Sequence, residues 1–133
     1  MKRRRKKRGR KCHYHTGTYV SSKGAGECRY RSGWELTVMQ LLDVDKNVVS
    51  WSYEDVVIPY VSNVRTGKVR KYFPDFFVEY VDGTRRLIEV KPSRRVHQPK
   101  VAKKLLAAHE WCRAHSSTLE VITEHELRAI GAL

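Results

Sequence analysis

Acidic residues are scarce in this 133-residue chain: 14 stand against 27 lysines and arginines, for a formal net charge of +13. Cysteine is scarcer still. Cys12, Cys28 and Cys112 form an odd, widely spaced set, which excludes a disulfide framework and fits a reducing cytoplasm. No apolar run approaches the roughly 18 residues that a membrane-spanning helix needs, so no membrane partner is expected. The basic start is followed by polar residues rather than by an apolar segment, which excludes reading it as a secretory signal. Neither an internal repeat nor a second domain is visible.

What is present is material for one core. Hydrophobic residues make up 41% of the chain, enough for a single domain and too much for wholesale disorder. The positive charge is concentrated at one end. Residues 2–11 hold nine basic side chains and no acid, and the rest of the chain is only mildly basic at +4. Residues 1–15 therefore read as a disordered basic arm and residues 16–133 as the folded domain. Arg3, Arg4, Arg5, Lys6, Lys7 and Arg8 suit a polyanion, since each neutralised phosphate releases counterions; the alternatives are a solubility tail or a targeting tag.

Along the folded part, Thr16–Arg31 reads as an irregular, extended lead-in. Ser32 and Glu35 have capping-box spacing and open a helix that places Trp34, Val38, Leu41 and Leu42 on one face and ends near Asp43. Val48–Ile58 is rich in β-branched and aromatic residues and reads as one bent strand or two short ones. A turn at Arg65–Lys68 leads into a strand from about Val69 to Val81. Asp82-Gly83 signals a hairpin, and Leu87–Lys91 is the returning strand, ended by Pro92. Pro99 suits the first turn of a helix that buries Val101, Leu105, Ala108 and Cys112. Leu119–Ile122 is a short strand, and Thr123 with Glu126 caps a last helix.

Chemistry concentrates on the hairpin. Glu89 and Lys91 are two residues apart in a strand and share a face, while Ile88 and Val90 take the other. A strict two-residue loop would put Asp75 opposite Val90, on the wrong face. A three-residue loop, Asp82–Thr84, pairs Asp75 with Lys91, Phe77 with Glu89, Phe76 with Val90 and Val78 with Ile88, and leaves an apolar inner face. Two carboxylates and an ammonium then meet at one sheet edge. The carboxylates repel unless a cation lies between them. Mg²⁺ is the expected ion, with Mn²⁺ as a substitute, because it takes hard oxygen ligands and keeps waters for a phosphate. No small-molecule cofactor is expected.

Pro74-Asp75 with Glu89-Val90-Lys91 resembles the PD-(D/E)xK nuclease motif. The stretch through Arg31-Ser32-Gly33-Trp34-Glu35, Trp51-Ser52-Tyr53-Glu54, Tyr72-Phe73-Pro74-Asp75-Phe76 and Ile88–Pro92 is similar to TnsA-type transposase endonucleases, and closer still to the head-completion nucleases of tailed phages. The resemblance implies an α/β, restriction-endonuclease-like core of helix, three-stranded antiparallel meander, helix, strand and helix. It implies metal ligation by Asp75 and Glu89, helped by the Val90 carbonyl, and a catalytic Lys91. Glu35 becomes a further acidic ligand or a water-orienting group, and Gln98 is a loose match to a glutamine that some relatives carry.

Arg94, Arg95 and Lys100, with Lys103 and Lys104, follow the catalytic strand and are candidates to line a DNA path; a solvated helix face is the alternative. No base-reading helix stands out. The expected function is therefore Mg²⁺-dependent endonucleolytic hydrolysis of double-stranded DNA with little sequence preference. By resemblance the enzyme finishes packaged DNA ends beside phage head or neck proteins, in the host cytoplasm or the virion. One alternative is a structural DNA-binding virion protein with a vestigial site. Another is a transposase endonuclease subunit, less favoured because those relatives carry a further C-terminal domain and this chain ends at Leu133. Cys12, His13, His15 and Cys28 offer soft ligands for zinc, but at no recognised finger spacing.

Overall fold

The computed structural model describes residues 16–133. The basic arm and the candidate zinc ligands Cys12, His13 and His15 lie outside the described residues. Twelve elements follow in order: β1 (Gly17–Val20), β2 (Glu27–Tyr30), α1 (Gly33–Val44), β3 (Val48–Tyr53), β4 (Ile58–Asn63), β5 (Lys68–Tyr72), β6 (Phe76–Tyr80), β7 (Arg85–Val90), α2 (Ser93–Val96), α3 (Pro99–Ala114), β8 (Thr118–Ile122) and α4 (Glu124–Ala129).

The central sheet runs β3-β6-β7-β8. The first three strands are antiparallel, and β8 lies parallel to β7 after the α2–α3 crossover. This is the expected helix, meander, helix, strand and helix. The two small sheets, β1-β2 and β4-β5, were not anticipated.

Both faces of the sheet are covered. On one, Val38, Met39 and Leu42 of α1 pack on Trp51, Phe76, Val78, Ile88 and Val90, with Leu127 of α4 closing the layer. On the other, Leu87 meets Ala108 and Cys112 of α3 and Ile58 and Tyr72 of the β4–β5 hairpin. Strand β7 is accordingly buried without a break from Leu87 to Val90, as a strand covered on both faces should be.

Several expectations need correction. The lead-in is a hairpin, its Tyr19 stacked on Trp51 with ring centroids 6.5 Å apart. Asp43 clamps it: the Asp43 carboxylate accepts bonds from the Tyr19 hydroxyl (2.6 Å), the Ser21 hydroxyl (3.1 Å), the Ser22 N–H (3.0 Å) and the Trp51 indole N–H (2.8 Å). Such short strands owe their pairing to this tertiary anchor, which local pattern does not reveal. In α1, Met39 is fully buried and Leu41 is exposed, because the inward stripe is set by 38, 39 and 42. The expected strand Val69–Val81 is two strands, interrupted by Phe73-Pro74-Asp75, where Pro74 has no N–H to give to a ladder.

The hairpin register is also shifted. Phe76 pairs with Ile88, Phe77 with Leu87 and Val78 with Arg86. The loop has three residues, as expected, but they are Val81–Gly83: the Tyr80 N–H donates to Thr84 O (2.8 Å) and the Gly83 N–H to Tyr80 O (2.9 Å). Gly83 supplies the left-handed residue that closes it, at φ +86°. The offset from the expected pairing is two residues, so every side chain keeps its face. Continued one step, this register sets Asp75 across from Glu89 rather than Lys91.

Candidate active site

Asp75 is held at both its backbone and its side chain. Its Oδ2 accepts the Val90 N–H at 2.7 Å, and its carbonyl accepts the Glu54 N–H at 2.9 Å. Pro74 before it and Phe76 after it are both buried, which leaves the carboxyl little room to move. Glu89 lies between Ile88 and Val90 on a strand fixed by both core layers. Its Oε1 accepts the Tyr72 hydroxyl at 2.6 Å, and its Oε2 pairs with Lys91 Nζ at 3.2 Å. Lys91 extends the β7–β8 pairing through its N–H to Ile122 O (2.9 Å).

Asp75 is 8% exposed and Glu89 5%. Burial, together with the charges of Glu89 and Glu35, pushes the Asp75 carboxyl well above the usual carboxylate range, against the opposing pull of the Val90 N–H and Lys91. Desolvation and the neighbouring Glu89 likewise raise the Tyr72 phenol, so it stays a hydrogen-bond donor.

Glu35 reaches the site from α1. Ser32 caps the helix by accepting the Glu35 N–H at 3.1 Å. The Glu35 carboxylate does not return to the cap residue as a capping box requires. It accepts the Arg31 N–H (2.9 Å) and the Tyr53 hydroxyl (2.7 Å) instead.

Glu35, Asp75, Glu89 and Lys91 all line one open cleft of about 1280 Å³. Among the described residues, no three His, Cys, Asp or Glu side chains converge into a metal cage. The pair Asp75 and Glu89 is therefore the acidic heart of the cleft, with Glu35 on its wall.

Arg94 and Arg95 also line the cleft, and Lys100 is not among its lining residues. The two arginines are set there by α2. Ser93 gives its N–H (2.8 Å) and hydroxyl (2.5 Å) to Glu124 at the start of α4. Those bonds, the hydroxyl's first, hold the Glu124 carboxyl down at about 2. Lys104, a candidate for the DNA path, lines the cleft as well, and so do residues that sequence reasoning left without a role: Glu54, Lys71, Tyr72 and Arg128. Glu54 is held in left-handed backbone, φ 51°, and its carboxylate pairs with Arg31 at 3.1 Å. None of these carries a local signal, since they come from separate stretches of the chain. Cys28, the one candidate zinc ligand among the described residues, is enclosed in the first core layer with its thiol directed at the Ala25 and Gly26 carbonyls.

Comparison with known proteins bears on this geometry. A family model described as TnsA-like endonuclease N terminal matches residues 45–124, a span that contains Asp75, Glu89 and Lys91 but not α1. The chain is also 30% identical over 124 residues to the head completion nuclease of Enterobacteria phage T4, an alignment covering 77% of this chain and 82% of that protein. The family match takes in the whole meander and the crossover to β8, the elements that bring the buried carboxylates and Lys91 together. The chain thus belongs to the TnsA-like N-terminal endonuclease family.

Proposed function

We propose that this protein is a Mg²⁺-dependent endodeoxyribonuclease that hydrolyses phosphodiester bonds with little sequence preference, working on phage DNA ends at head completion. The observation that carries the reading is the buried Asp75–Glu89 pair with Lys91 bonded to Glu89 at 3.2 Å, open to a cleft rimmed with basic residues.

The donor set fits a hard divalent cation. Two carboxylates held together out of water, with the pKa of Asp75 raised by burial and then by Glu89, have a charge conflict that a cation relieves. Mg²⁺ needs only one or two carboxylates beside waters and phosphate oxygens, so a full protein cage is not required. Asp75 and Glu89 would hold the ion with the Val90 carbonyl, while Glu35 orients a water. When bound, the ion supplies Lewis acidity to the phosphate and makes a water more acidic.

Lys91 is 18% exposed on its side chain and tied to Glu89, and it lines the cleft. It would orient the attacking water and offset the charge that develops on the phosphorus oxygens. Arg94 and Arg95 would take flanking phosphates, as would Lys71, Lys104 and Arg128, while the arm and Lys100 add longer-range attraction. The sequence shows no base-reading pattern on a helix, which favours modest sequence preference.

The test is incubation with covalently closed duplex plasmid and with linear duplex, in Mg²⁺ or EDTA. An endonuclease converts the closed circle to nicked or linear forms only with Mg²⁺. Digestion of linear DNA with the circle intact would mark an exonuclease, and binding without cutting would favour a structural DNA-binding role.

A further inference from the structure

Strand β5 belongs to a hairpin outside the central sheet, yet it delivers a side chain to the centre of the cleft. The Tyr72 ring is packed in the second core layer with Ile58, Leu87, Ala108 and Cys112. Its position is therefore set by apolar packing rather than by the carboxylate that it meets. Lys104 of α3 lies over the ring, Nζ 5.8 Å from the centroid, and restrains it from the cleft side. From this fixed ring the hydroxyl donates to Glu89 Oε1 at 2.6 Å, while Lys91 takes Oε2 at 3.2 Å.

A glutamate has three rotatable bonds and loses considerable freedom when it is asked to ligate in one geometry. Here one oxygen is pinned by a rigid phenol and the other by an ammonium, so that freedom is already spent on folding. The geometry points to Tyr72 as a positioning residue for the divalent-cation site, its hydroxyl fixing the Glu89 carboxylate across from Asp75. The role rests on the metal-dependent reading given above. Outer partners that orient a ligating side chain in this way typically contribute about 10–100-fold to metal affinity.

The experiment is calorimetric titration of Mn²⁺ into the metal-stripped full chain without DNA, for the wild type, Tyr72→Phe and Tyr60→Phe. Tyr72→Phe keeps the packed ring and removes only the hydroxyl; Tyr60, on the other strand of the same hairpin, is not part of this cleft. The expected result is Mn²⁺ affinity about 10-fold weaker in Tyr72→Phe and unchanged in Tyr60→Phe. Equal affinity in Tyr72→Phe and wild type overturns the positioning role and leaves the metal reading standing. No Mn²⁺ binding by the wild type overturns both. Should Tyr72→Phe lose the wild-type circular dichroism, tyrosine difference absorbance in a Tyr53→Phe background replaces it. A perturbation on adding Mn²⁺ supports the role, and a flat spectrum overturns it.

Discussion

Removing one charge from the site should stabilise the metal-free protein while it destroys activity. Asp75→Asn is the perturbation. Asp75 is 8% exposed and Glu89 5%, so solvent screens their repulsion weakly. Side chains facing each other on neighbouring strands lie about 5 Å apart, and at an effective dielectric of about 20 that repulsion is roughly 3 kcal/mol. Lys91, paired with Glu89 at 3.2 Å, offsets part of it. An asparagine still offers a carbonyl oxygen to the Val90 N–H and gains an amide that can donate to Glu89. The net gain is then about 1–2 kcal/mol, or about 4–8 °C in Tm for a domain of this size.

The assay is thermal unfolding followed by circular dichroism in EDTA, from pH 5 to pH 8. Because the folded Asp75 carboxyl has a raised pKa, the native state binds more protons than the unfolded chain above the ordinary carboxylate value. Wild-type stability therefore falls as pH rises through that window. The advantage of Asp75→Asn should widen with pH and shrink in acid. Saturating Mg²⁺ should reverse the order, since a ligand at about 100 times its Kd adds about 2.7 kcal/mol to the protein that binds it. A variant that melts below the wild type in EDTA at pH 8 would refute the reasoning.

Asp43→Ala should cost about 2–4 kcal/mol in urea unfolding, since the carboxylate loses four donors that tie the β1–β2 hairpin and Trp51 to α1. Burial raises the Asp43 carboxyl, but the bonds from Tyr19, Ser22, Trp51 and Ser21 outweigh it and set the pKa below the usual value. Its contribution is thus complete above about pH 3.9 and lost as pH falls through the lower folded value. Wild-type unfolding should steepen in acid more than that of Asp43→Ala. Combining Lys71→Ala, Lys104→Ala and Arg128→Ala should lower the slope of log Kobs against log salt by about 3 for duplex binding in Ca²⁺. An unchanged slope would remove those three from the DNA path.

Sequence legibility followed the range of the interactions. The hairpin carrying the site was readable because the two-residue period of Ile88–Lys91 and the glycine at position 83 are local signals. The exact pairing was not, since Val81–Gly83 and Asp82–Thr84 are both acceptable three-residue loops. Faces survived that error because the two registers differ by two residues. The split at Phe73–Asp75 was concealed by β-prone residues on either side of Pro74. Tyr72 reaches the carboxylates only because the β4–β5 hairpin packs on the sheet, and Tyr53 and Glu54 only because β3 pairs with β6, long-range contacts that no spacing rule encodes. The α1 cap was legible in Ser32, whereas the partner chosen by Glu35 depended on Tyr53, 18 residues away.

Lys91→Ala tests the central claim most directly, because Lys91 belongs to neither core layer and its removal should leave the fold intact. Wild type and variant would be compared on supercoiled plasmid in Mg²⁺, with equal duplex binding confirmed in Ca²⁺. The account predicts Mg²⁺-dependent cutting by the wild type and loss of at least about 100-fold in the variant, the scale of a removed charge-stabilising donor. Undiminished cutting by Lys91→Ala would contradict it and move the chemistry away from the Asp75–Glu89 pair.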